Sequence, residues 1–253
     1  GGGVAVGDLN NDNLPDIYFI SNLYSNKLFI NKGRLVFEET TSISGVKGKS
    51  GFPTGVTMVD INSDGLLDIY VCKSGDYPDL DNRRNELYVN NGNNEHGIPT
   101  FTEEASTFGL DLPHYSTQAS FFDYDRDGDL DMFLINHGIA PADVEPNIDK
   151  LLNTKSEYSS DKLFRNDAGK FKDVSEASGI INNSIGFGLG IAIGDLNNDQ
   201  WPDILVGQDY SEKDHLYINQ KDGTYREVIK EATNHISNFS MGNDIGDVNN
   251  DGW

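Results

Sequence analysis

A nine-residue acidic segment recurs along this chain, each time directly before an apolar run. The copies read DLNNDNLPD (Asp8 to Asp16), DINSDGLLD (Asp60 to Asp68), DYDRDGDLD (Asp123 to Asp131) and DLNNDQWPD (Asp195 to Asp203). A fifth copy, DVNNDGW, runs from Asp247 to Trp253. Side-chain oxygens fall at positions 1, 3, 5 and 9. These are Asp8, Asn10, Asp12 and Asp16 in loop one, and Asp60, Asn62, Asp64 and Asp68 in loop two. They are Asp123, Asp125, Asp127 and Asp131 in loop three, and Asp195, Asn197, Asp199 and Asp203 in loop four. The fifth copy supplies Asp247, Asn249 and Asp251 and stops before position 9. Position 7 can add its backbone carbonyl whatever its side chain: Leu14, Leu66, Asp129, Trp201 or Trp253. Oxygen donors at this spacing suit one hard cation, Ca²⁺, which takes about six to eight oxygens. The expectation is about one Ca²⁺ per loop, with four complete loops and a structural role for the metal. A single copy would read equally well as a solvated Asx turn. Repetition at fixed spacing argues for the metal.

An EF-hand would need Glu at position 12 and flanking helices. Position 12 here is Phe19, Val71, Leu134 or Val206, and the flanks read as strands. A β-hairpin calcium loop is therefore expected. Position 6 needs a sharp turn with positive φ. Gly65, Gly128 and Gly252 supply it without steric conflict, and Asn13 tolerates it. Gln200 should cost roughly 1–2 kcal/mol there, which makes loop four the weakest complete site. Loop three sets five carboxylates against Arg126 and should gain most from a cation.

The loops need strands to hold them. Each follows an apolar strand, such as Val4 to Gly7 or Ile191 to Gly194, and leads into another, such as Ile69 to Val71 or Met132 to Ile135. Runs apolar at consecutive positions fit strands packed on both faces. A third strand ends in Asn each time: Lys27 to Asn31, Glu86 to Asn90, Lys162 to Asn166 and His215 to Asn219. A turn around Gly33, Gly92, Gly169 or Gly223 leads to a fourth strand carrying Phe37, Phe101, Phe171 or Tyr225. The loop starts recur about every 50 to 70 residues, a period of propellers and other repeat arrays. The chain thus reads as all-β, one partial β-propeller of four-stranded antiparallel blades over 1–253. Repeats fall at about 1–50, 51–115, 116–185, 186–238 and a truncated 239–253. Inserts after the second strand vary in length and collect on one face, the expected binding face, opposite the acidic loops.

Composition agrees with a folded, strongly acidic chain. The 253 residues carry a formal charge of −22, which repels phosphate backbones and excludes nucleic acid as a partner. Bound Ca²⁺ in four or five loops would offset about 8 to 10 charges. Aromatics at 10% are too many for a disordered acidic chain. Cys72 is the lone cysteine, so no disulfide framework exists, and its apolar setting reads as core. No stretch reaches the roughly 20 apolar residues of a membrane span. The chain opens without Met and stops inside a repeat, so it reads as a fragment.

These loops resemble FG-GAP/VCBS repeats, the blades of integrin-α-like β-propellers. Phe187-Gly188 resembles the FG part of that signature. The wording Asp68-Ile69-Tyr70-Val71, Ser116-Thr117-Gln118-Ala119, Phe121-Phe122-Asp123-Tyr124-Asp125 and Asp161 to Asn166 is similar to bacterial relatives of cartilage acidic protein. In that family a propeller often precedes an ASPIC/UnbV domain, which this chain lacks. The resemblance implies an extracellular protein, at the bacterial cell surface or outer membrane, whose full ring has about seven blades.

No catalytic constellation is visible. Gly48-Lys49-Ser50 lacks the rest of a phosphate loop, and neither HExxH nor GxSxG occurs. The leading expectation is a non-catalytic, calcium-stiffened extracellular module that binds a protein or glycan. The alternative is the propeller part of a polysaccharide lyase or hydrolase. It would use His114 or Tyr115 as base beside Arg83 or Arg84. A third reading is a passive spacer between other domains of a parent chain.

Overall fold

The computed structural model describes residues 2–138, 152–210, 212–237 and 239–249. It is all-β, with four four-stranded antiparallel sheets, each a simple meander with the topology of a propeller blade. Blade one holds β1 (Val4–Gly7), β2 (Asp16–Phe19), β3 (Lys27–Asn31) and β4 (Phe37–Glu39). Blade two holds β5 (Phe52–Val59), β6 (Asp68–Ser74), β7 (Glu86–Asn93) and β8 (Pro99–Glu103). Blade three holds β9 (Ser116–Phe122), β10 (Asp131–Asn136), β11 (Lys162–Asn166) and β12 (Phe171–Asp173). Blade four holds β13 (Gly188–Gly194), β14 (Asp203–Gln208), β15 (His215–Asn219) and β16 (Tyr225–Glu227). Among the described residues no helix is long and apolar enough to cross a membrane.

The chain divides into two compact units, Gly1–Ser116 and Thr117–Trp253. In unit 1 the core joins Tyr18, Ile20, Leu28 and Ile30 of blade one to Val56, Ile69, Val71 and Tyr88 of blade two. In unit 2 it joins Phe122, Phe133, Ile135 and Leu163 of blade three to Ile204, Val206, Tyr217 and Tyr225 of blade four. Stacking one sheet on the next explains the unbroken apolar runs. Every residue of β6 and of β10 is buried, because both faces are covered.

Each second strand begins with the ninth residue of the acidic segment. Gly7 pairs with Asp16, Val59 with Asp68 and Gly194 with Asp203, so the loop is the tip of a hairpin. One feature was not expected from sequence. Single helical turns follow the fourth strand at Thr41–Ser44, Ala105–Phe108 and Ile229–Ala232. The first two end on Gly45 and Gly109 in the left-handed region, at φ 80° and 78°.

Candidate metal centre

The four complete loops share one internal hydrogen-bond plan. The first aspartate accepts from the backbone N–H groups of positions 5 and 6. For Asp8 these come from Asp12 and Asn13 at 3.1 and 2.7 Å, and for Asp60 from Asp64 and Gly65 at 3.0 and 2.8 Å. For Asp123 they come from Asp127 and Gly128, both at 3.1 Å, and for Asp195 from Asp199 and Gln200 at 2.9 and 2.7 Å. The fifth residue, Asp12, Asp64, Asp127 or Asp199, accepts from the N–H of Leu14, Leu66, Asp129 or Trp201 at 2.8–3.0 Å. Position 3 joins the turn where it is Asn. Asn10, Asn62 and Asn197 each accept from the position-5 N–H through Oδ1.

Position 6 lies in the left-handed region in all four loops: Asn13 at φ 65°, Gly65 at 84°, Gly128 at 99° and Gln200 at 70°. Position 4 does too, at Asn11, Ser63, Arg126 and Asn198, with φ between 56° and 62°. The sequence reading expected only the sixth. Two left-handed residues separated by one curl the chain so that successive amides point inward.

The ninth aspartate is the anchor. Asp16, Asp68, Asp131 and Asp203 are fully buried. Each accepts one N–H from position 2 of its loop, that of Leu9, Ile61, Tyr124 or Leu196, at 2.9–3.0 Å. The other oxygen accepts the N–H of the asparagine ending the third strand, Asn31, Asn90, Asn166 or Asn219, at 2.7–2.9 Å. That asparagine also donates from Nδ2 to the carbonyl of position 8: Pro15, Leu67, Leu130 or Pro202. Its Oδ1 accepts from the following turn, at Gly33, Gly92, Gly169 or Lys221. Sequence reasoning assigned it no role, although its fourfold recurrence at one register was a visible signal.

Burial without a positive partner pushes Asp68 up to about 6 and Asp131 up to about 7. The two N–H donors work against that shift, and nearby carboxylates add to it: Asp64 and Asp60 for Asp68, Asp125 and Asp127 for Asp131. Asp16 and Asp203 are raised for the same reason. Buried carboxylates facing further carboxylates are what a cation would relieve.

The loops differ in how well they fit one. In loop three, ligand atoms of Asp123, Asp125 and Asp131 all lie within 4.8 Å of one another. Asp125 Oδ1 is buried and has no hydrogen-bond partner among the described residues. Desolvation and the neighbouring Asp127 and Asp123 charges raise its pKa. The Arg126 guanidinium lies over the Trp201 ring, 5.4 Å from its centre. In loops one and two the third residue is Asn10 or Asn62, whose Nδ2 donates to Asp12 or Asp64 at 3.0 and 2.9 Å. In loop four, Lys221 Nζ sits 3.3 Å from Asp199 Oδ2 and takes up part of the charge a cation would meet. In the fifth copy, Asp247 and Asn249 lie in an irregular segment, and Asp251 and Trp253 fall outside the described residues.

The structure brings two of the groups named for catalysis, Arg83 and Tyr115, together. The Arg83 guanidinium lies 4.1 Å from the centre of the Tyr115 ring, and its Nε donates to the Pro113 carbonyl at 2.7 Å. Arg83 and His114 are both buried. Arg84 pairs with Asp81 at 2.8 Å and with Asp111 at 3.3 Å. Much of the longest insert, 139–151, lies outside the described residues.

The FG-GAP-like repeat pattern matches residues 4–71, 148–206 and 195–253. One solved structure, of an Agrocybe aegerita lectin described by its recognition of non-reducing terminal N-acetylglucosamine, superposes with a TM-score of 0.43 and 16% identity. The alignment covers 87% of this chain and 49% of that one, so the chain spans about half the lectin's length. No curated protein matches the chain. The repeat matches span more than half of the sequence and include loops one, two and four complete: the chain belongs to the FG-GAP-like repeat family.

Proposed function

We propose that each complete acidic loop holds one Ca²⁺, and that the chain is a calcium-stiffened extracellular module that binds a protein or a glycan and has no catalytic activity of its own. The observation that carries the reading is loop three. Three carboxylates converge within 4.8 Å, and one of their oxygens is buried without a partner. The other three loops repeat its backbone hydrogen bonds. The donors are all hard oxygens, which favours Ca²⁺ over softer metals. Asp123, Asp125, Asp127 and Asp131 would hold the ion in loop three, with the equivalent residues doing so elsewhere. A bound Ca²⁺ supplies positive charge where the fold buries carboxylates. The ninth aspartate would then link the ion to the third strand through the asparagine N–H. Affinity of about 10⁻⁴ to 10⁻³ M is expected of an extracellular site.

Placement at a bacterial cell surface, and kinship with relatives of cartilage acidic protein, rest on the wording of blades two to four. Absence of catalysis is supported by the internal contacts of Arg83 and Arg84. The test is thermal melting in millimolar Ca²⁺ and in chelator, with Asp125→Ala and Asp127→Ala alongside. A midpoint raised by Ca²⁺ and lowered again in both variants supports the reading. An unchanged midpoint in a chain folded by circular dichroism would sink it. Glycan and surface-protein arrays, read in Ca²⁺ and in chelator, then address the ligand.

A further inference from the structure

The acidic loops are not held by their own blades alone. In unit 1, blade two reaches across to loop one. Asn90 Nδ2 donates to the Leu9 carbonyl at 2.9 Å, and also to the Leu67 carbonyl of its own loop at 3.0 Å. Asn93 Nδ2 donates to the Asn10 carbonyl at 2.8 Å. In return, Asn11 Nδ2 donates to the Gly65 carbonyl, in loop two, at 3.3 Å. Unit 2 repeats the arrangement. Asn219 Nδ2 donates to the Tyr124 carbonyl of loop three at 2.8 Å and to Pro202 of its own loop at 3.4 Å. The Tyr124 ring stacks on Tyr225 of blade four with centroids 6.3 Å apart.

Leu9 and Tyr124 occupy the same place, position 2, between two candidate ligands. The N–H of that residue is held by the ninth aspartate of its own loop. Its carbonyl is held by the asparagine of the next blade. The backbone between positions 1 and 3 is therefore pinned from both blades. Asn31 is different. Its Nδ2 donates to Pro15 of its own loop, and no bond to another blade is found among the described residues.

We propose that Asn90 and Asn219 are shared positioning residues: each sets the cation affinity of the loop on its own blade and of the loop on the blade before it. The acidic loops of one unit then act as a coupled pair. The inference rests on the calcium reading. Hydrogen bonds that orient ligating groups are worth about 10- to 100-fold in metal affinity. A purely structural asparagine would lower stability and leave the preceding loop's affinity alone.

The test is a Ca²⁺ titration of the full chain, followed by NMR at the backbone amides of Asn13 and Gly65. Each amide donates to the first aspartate of its own loop, so each reports one site. Asn90→Ala is expected to weaken both curves by about 10- to 100-fold. Asn93→Ala, at an exposed position, should weaken the Asn13 curve alone, as should Asn31→Ala. If Asn90→Ala moves only the Gly65 curve, the sharing is overturned and calcium binding stands. If neither amide of the unaltered chain responds to Ca²⁺, the calcium reading falls and the coupling falls with it.

Discussion

Loops three and four lie in the same unit and follow the same hydrogen-bond plan, but they hold charge differently. Loop three places Asp125 where loop four has Asn197, and Gly128 where loop four has Gln200. Its carboxylates converge, and Arg126, the cation in its own sequence, is turned onto the Trp201 ring. Loop four has Lys221 on Asp199. Partial desolvation would raise Asp199, but the Trp201 N–H, Asn197 and Lys221 together hold it below the usual carboxylate range. The difference teaches that the backbone frame is common property, whereas the balance of charge in each loop is set by a few side chains. One of those, Lys221, comes from the turn between the third and fourth strands of its blade.

The largest expected effect would show that the frame is shared. Asp131→Ala and Asp203→Ala each strand two buried N–H donors, so each should cost about 2–5 kcal/mol in chelator. Urea unfolding measures this. A cost at one position and none at the other would break the comparison at its base.

A buried carboxylate outside the loops must be separated from them. Asp161 accepts from the Asn136 N–H and lies near Gln208, and burial pushes it up to about 6. Its folded pKa lies above the unfolded value of 3.8, so the folded chain binds this proton more tightly. The stabilisation is complete below about pH 4 and is lost as pH rises through about 6. Between pH 5 and pH 7.5, Asp161→Asn should remove about 1.4 kcal/mol of that pH dependence, since pH 5 lies one unit below the folded value of about 6. The check is denaturant unfolding in chelator at pH 5 and pH 7.5. An unaltered slope would assign the whole pH dependence to the loops.

Affinity should then separate the two loops. Asp125→Asn is expected to weaken loop three about tenfold, and Asn197→Asp to strengthen loop four, because charge count sets hard-cation affinity. The Gly128 and Gln200 amides, which donate to Asp123 and Asp195, report each site by NMR. Lys221→Met should raise loop four's affinity about two- to fivefold, the modest scale of an exposed ion pair. Equal affinities in the unaltered chain would remove the contrast.

The smallest effect concerns the backbone. Gln200 at φ 70° is strained and glycine is not, so Gln200→Gly should stabilise the chelated chain by about 0.5–1 kcal/mol. A melting shift in the opposite direction would show that the Gln200 side chain stabilises the loop by more than its strain.

Much of the blade was legible in the sequence. Three third strands run as read, Lys27–Asn31, Lys162–Asn166 and His215–Asn219, because a closing asparagine and the turn after it bound them locally. The left-handed sixth position was legible from its glycines. The left-handed fourth position was not, since Asn11, Ser63, Arg126 and Asn198 include no glycine and no residue type common to all four. The asparagine anchor was overlooked because its partners lie 15 to 35 residues away.

Sequence by itself determined the repeat, the strand order within a blade and the ligand-type residues of each loop. These follow from local periodicity and from residues within nine positions of one another. Tertiary structure decided where the charge goes. It buried the ninth aspartates, aimed Arg126 at Trp201 and brought Lys221 to Asp199. It also hung the backbone of loops one and three on asparagines of the next blade. Desolvation and hydrogen bonding depend on what packs against a group, and in these loops the partners lie from 15 to 95 residues further along the chain.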